Sequence, residues 1–166
     1  DVLTLRIVQL ICNGLDSAMV AEVNRGLHEQ MPHVAVLLEP KLGRTTDGKQ
    51  LAPPRFPGYA AHRVDRPFHR DRGGGVLVLV ADGVQWQALE APLVPESLPH
   101  VDAAGVRIFP ENAKPVDIIG VYNQPTHGQE RLFIADWRGS QAVGCADLNL
   151  HHRSWDKDCA DSTVLC

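Results

Sequence analysis

Hydrophobic positions along the chain fall into short apolar runs separated by turn-forming and charged stretches. Leu3–Ile11 is apolar at almost every position except Thr4, Arg6 and Gln9. Such a run predicts a strand covered on both faces, as in a layered sandwich. Asn13-Gly14 ends it as a turn signal. Asp16 or Ser17 can then cap a helix in which Val20, Val23, Leu27 and Met31 recur at helical spacing. Pro32 follows, where a helix cannot easily continue. His33–Leu38 is a second apolar run, with Glu39 at its tip. The segment up to Glu39 therefore reads as a β-α-β unit. If its two strands are parallel, Asn13 and Glu39 lie on the same edge of the sheet.

Lys41–Pro57 is rich in Gly, Pro, Thr and charge and reads as a long surface loop. Tyr59–Arg72 carries Arg63, Arg66, Arg70 and Arg72 with His62 and His69, against Asp65 and Asp71. It is either a solvated loop or a phosphate-contacting patch whose Tyr59 and Phe68 permit stacking on bases. Gly73-Gly74-Gly75 lacks the Lys and Ser/Thr of a nucleotide-binding loop, which favours a tight turn. Further strands are expected at Val76–Ala81, Trp86–Leu93, Val106–Phe109, Val116–Tyr122 and Ala142–Ala146, with a short helix around Glu130–Trp137. Pro92–Pro99 reads as a connection within one domain spanning residues 1–166. This order predicts an α/β fold: a four-layer sandwich of two mixed sheets flanked by helices.

Composition narrows the picture a little. Hydrophobic residues make up 44% and charged residues 22% of the 166, ordinary values for a globular domain. A formal net charge of −4 argues against binding nucleic acid by bulk attraction alone. It leaves room for an enzyme that holds phosphates through a metal and a local basic patch. No apolar run is long enough to span a membrane, and the first residues lack a signal-peptide pattern. The four cysteines, Cys12, Cys145, Cys159 and Cys166, form no CxxC pair, so reduced thiols in an intracellular protein are expected.

The densest chemistry lies in Val143–Trp155, VGCADLNLHHRSW. Side chains alternate along a strand, so Asp147 and Asn149 at its end project the same way. They suit a site built at a strand end, or equally an Asx turn. His151, His152, Cys159 and Cys166 match no common zinc spacing.

Taken in order, several of these pieces resemble the endonuclease/exonuclease/phosphatase superfamily, in particular the apurinic-endonuclease-like domain of non-LTR retrotransposons. Leu5–Leu15 is similar to its opening Gln-Trp-Asn-Cys-Asn-Gly-Leu strand, and Val36–Leu42 to its Gln-Glu-Thr-Lys segment. Pro57-Gly58-Tyr59 and Arg72–Val76 look like its Pro-Gly-Tyr and Arg-Gly-Gly-Gly-Val pieces. Gly120–Pro125 resembles Gly-Val-Tyr-Asn-Pro-Pro, and Asp147–Trp155 resembles Gly-Asp-Phe-Asn followed by His-His-x-x-Trp. The resemblance implies a Mg²⁺- (or Mn²⁺-) dependent phosphodiesterase that nicks DNA. It further implies a nuclear protein and a longer polyprotein with a reverse transcriptase. Glu39 would bind the metal, with Asn13 near it. Asp147 would activate the attacking water, Asn149 would hold that Asp and contact phosphate, and Tyr122 would lie beside the scissile phosphate. Arg63, Arg66, Arg70, Arg72 and His152 are the expected nucleic-acid contacts.

Two departures qualify this expectation. Ile11 stands where the family places an asparagine, and the chain stops at Cys166 before a Ser-Asp-His segment that completes the family's site. The alternatives are a defective or truncated copy that at most binds nucleic acid, or a phosphatase acting on a small phosphate ester. A sandwich without its last strands exposes an unpaired edge and apolar surface. The isolated chain is therefore expected to aggregate; light scattering from a monodisperse, cooperatively melting monomer would contradict this.

Overall fold

The computed structural model describes residues 4–43, 51–65, 74–90, 93–94, 98, 100–124 and 141–147. The apolar runs become strands that satisfy one another's backbone groups in two four-stranded sheets. β1 (Ile7–Ile11) and β2 (Val34–Leu38) are parallel, joined by helix α1 (Ser17–Gln30). After them come β3 (Tyr59–Val64) and β4 (Val76–Ala81), which pair antiparallel and give the sheet order β1-β2-β4-β3. The second sheet contains β5 (Trp86–Ala88), β6 (Val101–Ile108), β7 (Val116–Asn123) and β8 (Gln141–Asp147), in that order. Its first three strands are antiparallel, and β8 runs parallel to β7.

Alternation along each strand sorts side chains into layers. Val34, Val36 and Leu38 of β2 and Val76, Val78 and Val80 of β4 face the second sheet. There they pack on Ala104, Val106, Ile108, Ile118, Tyr122 and Cys145. The intervening Ala35, Leu37, Leu77 and Leu79 face the other way, onto Val23 and Leu27 of α1. The helix starts where the Asp16 carboxylate accepts the Met19 N–H at 2.8 Å, an N-cap worth ~1 kcal/mol. It ends at Met31, whose φ of 43° breaks the helical repeat. The outer face of the second sheet buries Val101, Ala103, Ile119 and Val121 under Leu89, Leu93, Val94 and Leu98. The described residues thus show two mixed sheets with one helix on one outer face. The second helix, expected at Glu130–Trp137, lies outside them.

Several elements differ from the sequence expectation. β1, expected to be covered on both faces, stands at the end of its sheet order with Gln9, Leu10 and Ile11 exposed, and β5 stops at Ala88 rather than Leu93. Tyr59–Val64, taken for part of a basic loop, is a strand, because β4 offers it a complete row of backbone partners. β6 begins at Val101 rather than Val106, since Val101–Gly105 pairs with the second half of β7, Ile119–Asn123. β8 starts at Gln141 and stands last in the sheet order among the described residues, its first four residues exposed.

Gly120 sets how closely the sheets approach. A Cβ there would sit 2.6 Å from both Val36 Cγ1 and Val76 Cγ1, inside any real contact distance. Both neighbours are fully buried and have nowhere to retreat. Gly120→Ala is therefore expected to destabilise the fold by about 1–3 kcal/mol through overpacking. Urea denaturation measures this, and an unchanged midpoint would show that the sheets can separate locally at no cost.

Candidate active site

Strand direction gathers chemistry at one end of the sandwich. The C-terminal ends of β1 and β2 and the start of β4 share one edge of the first sheet. In the second, the ends of β7 and β8 and the start of β6 share an edge. Two polar bonds tie these edges together. The Gln9 side chain donates to the Ala146 carbonyl at 3.1 Å. The Gly75 N–H donates to the buried Asp102 carboxylate at 2.8 Å.

Asn13 follows β1 and is exposed, while Glu39 follows β2 with its side chain only 18% exposed. Asp147 ends β8, half-buried and in register with Tyr122 of β7. It shares its strand face with Cys145, which belongs to the inter-sheet core. Glu39 and Asp147 therefore lie toward the same end of the sandwich on opposite sheets, whose layers in such folds lie about 10 Å apart.

The backbone around the mouth is unusual. Asn13, Glu39 and Lys41 have φ of 49°, 54° and 51°, a left-handed region that costs non-glycine residues energy and clusters at functional sites. A continuous set of hydrogen bonds holds them there. Asp102 fixes Gly75; the Gly75 carbonyl accepts the Glu39 N–H at 3.1 Å, and the Gly74 carbonyl accepts the Lys41 N–H at 3.1 Å. In turn the Glu39 carbonyl accepts the Gly14 N–H at 2.9 Å. A carboxylate on the second sheet thus sets the backbone of Glu39 on the first. The two glycines tolerate φ of 86° and 85°, which is what lets the loop approach so closely.

Electrostatics complete the picture. The Lys41 ammonium hydrogen-bonds Asn13 Oδ1 and stands 3.3 Å from Glu39 Oε1. Beneath them Cys12 is 2% exposed; burial, then the Glu39 charge, push its thiol up to about 11. Further along β3, burial lowers the ionisation of His62, whose ring lies 6.4 Å from that of Trp86.

Of the expected site residues, Asn13 and Glu39 meet through Lys41, and Asp147 ends β8 at the same end of the sandwich. Tyr122 ends β7 beside Asp147, but its side chain is packed in the inter-sheet core at 3% exposure. Arg63 is turned inward, its guanidinium 3.2 Å from Asp65 Oδ2. Ile11, the departure from the family pattern, is 48% exposed at the end of β1. Asn149, Arg66, Arg70, Arg72 and His152 lie outside the described residues. Sequence reasoning missed Asp102, whose role depends on contact between sheets. It also gave Lys41 no part, although the two-residue step from Glu39 was a visible signal.

The fold has known counterparts. TDP2 of D. rerio in complex with a single strand DNA product superposes with a TM-score of 0.58 at 17% identity, over 90% of this chain and 62% of that one. A D. rerio TDP2 humanized by 14 mutations gives 0.57 at 15% identity, over 90% and 64%. The human Nocturnin catalytic domain with bound sulfate anion gives 0.53 at 13% identity, over 87% and 64%. These likenesses establish a fold of the endonuclease/exonuclease/phosphatase type. The chain spans less than two thirds of the length of each. No protein-family model and no curated protein matches the sequence.

The buried thiol makes a testable link to the site. Because the Cys12 thiol ionises near 11 when folded against an ordinary 9.0, the stability it contributes is complete below pH 9. That stability is lost as pH rises toward 11. Native protein is expected to resist iodoacetamide at Cys12 at pH 8, and Glu39→Gln to lower the pH at which Cys12 reacts. Alkylation of the native thiol at the rate of a free one would contradict the burial described.

Proposed function

We propose that the chain is a hydrolase of phosphate esters, and more specifically a metal-dependent DNA endonuclease domain. What supports the reading is that the strands carrying Asn13, Glu39 and Asp147 all end on one side of a sandwich of this fold type. Their oxygens suit a hard divalent cation such as Mg²⁺ or Mn²⁺, which is held by one or two carboxylates and keeps several waters. Among the described residues no cluster of three His, Cys, Asp or Glu offers a dense cage. Asn13 and Glu39 nevertheless already hold a positive charge, the Lys41 ammonium. Bound there, a divalent ion would neutralise charge building on the phosphoryl oxygens.

The protein's own groups supply the rest. Asp147 takes a proton from the attacking water at its carboxylate. Asn149 orients that carboxylate and donates to a phosphoryl oxygen without adding a repelling charge. Tyr122, in register with Asp147, fixes the strand end that carries it. Arg66, Arg70, Arg72 and His152 grip the DNA backbone, while Arg63 is held by Asp65. The finer reading, a retrotransposon-type domain joined to a reverse transcriptase and working in the nucleus, rests on the motif order from Leu5 to Trp155. One observation favours a second reading, a fold that binds its cation but turns over poorly. Exposed Ile11 brings an apolar side chain to the mouth where an oxygen ligand would serve.

Nicking of supercoiled plasmid with Mg²⁺ tests both. The endonuclease reading expects nicking that Asp147→Asn lowers by about 10²–10⁴-fold and Glu39→Ala abolishes. Glu39-dependent Mg²⁺ binding without nicking would select the second reading. Neither binding nor nicking would remove both.

A further inference from the structure

We propose that Lys41 is the resident counter-ion of the site: its ammonium occupies the cation position between Asn13 and Glu39 and leaves it when a divalent ion enters. This deepens the proposed function and rests on it.

The geometry is specific to this lysine. Its Nζ contacts both oxygens assigned to the cation, Asn13 Oδ1 by a hydrogen bond and Glu39 Oε1 at 3.3 Å. The contact is built by the backbone rather than by chance of a long side chain. Lys41 is held in the left-handed region at φ 51° by the Gly74 carbonyl, and Glu39 and Asn13 adopt the same rare conformation. All three turn their side chains to one point. Without the ammonium, the Glu39 carboxylate, its side chain only 18% exposed, would lose the cation that stands 3.3 Å from it, a costly change for a largely buried charge.

A divalent ion seeks the same two oxygens. Sharing them with an ammonium would bring two like charges close together, which disfavours joint occupancy. Lysine suits exchange, being a compact point charge on a flexible four-carbon stem. Its side chain is 33% exposed, so an exit to solvent is open without moving the loop. The ammonium therefore preserves the assembled site while the cation is away, and metal affinity carries the cost of displacing it.

Lysine ammonium ¹H–¹⁵N correlation spectra test the exchange directly. The chain has four lysines, Lys41, Lys49, Lys114 and Lys157; Lys41→Arg assigns the signal, and exposed Lys114 serves as reference. Without metal the Lys41 ammonium is expected to exchange slowly and be visible. Saturating Mg²⁺ should move it to a solvated shift or broaden it away, leaving Lys114 unchanged. Calorimetry should find Mg²⁺ bound up to about fivefold more tightly by Lys41→Met, the worth of one partly exposed ion pair. Glu39-dependent Mg²⁺ binding that leaves the Lys41 signal in place would overturn the counter-ion role while the proposed function stands. Absence of any Glu39-dependent binding would overturn both.

Discussion

Close packing of two sheets face to face is the constraint from which the rest of the molecule follows. Val34, Val36, Leu38, Val76, Val78 and Val80 present a continuous β-branched and leucine surface, and Gly120 opposite them leaves room for Val36 and Val76. Protein interiors tolerate neither voids nor overlap, so this one missing side chain fixes the sheet separation locally. The separation in turn brings Asp102 of β6 within 2.8 Å of the Gly75 N–H.

That bond is where packing becomes chemistry. It passes from the second sheet to the Gly74-Gly75 loop and on to Glu39, Lys41 and the turn after Asn13. The residues at the mouth pay for a left-handed backbone, which only a surrounding network that over-determines the loop can maintain. Asp147 arrives independently, on β8, whose parallel pairing with β7 delivers it to the same end. The mouth is thus assembled from four strand ends and two loops, none of which holds a site alone.

Much of the first sheet is legible in the sequence itself. Continuous apolar runs at Val34–Leu38 and Val76–Ala81 became central strands because both their faces are buried. Asp16 and the spacing of Val20, Val23 and Leu27 marked α1 for the simple reason that capping and helical periodicity are local. Tyr59–Val64 was not legible: its arginine and histidine mask a strand whose existence depends on β4 as a partner. The start of β6 was hidden likewise, since Val101 stands alone among His100, Asp102 and small residues that carry no strong strand preference of their own.

What the sequence determined by itself was everything set by nearest neighbours: the runs, the cap, the turn at Asn13-Gly14, and the delivery of Glu39 and Asp147 to strand ends. Tertiary structure alone decided which of those ends meet. It turned Arg63 onto Asp65 and drew Tyr122 into the core. It also placed Lys41 on Asn13 and Glu39, and set Asp102 beneath the loop that holds them. The physical reason is that these outcomes depend on distances between residues far apart in the chain, which only the packing of one sheet on the other defines.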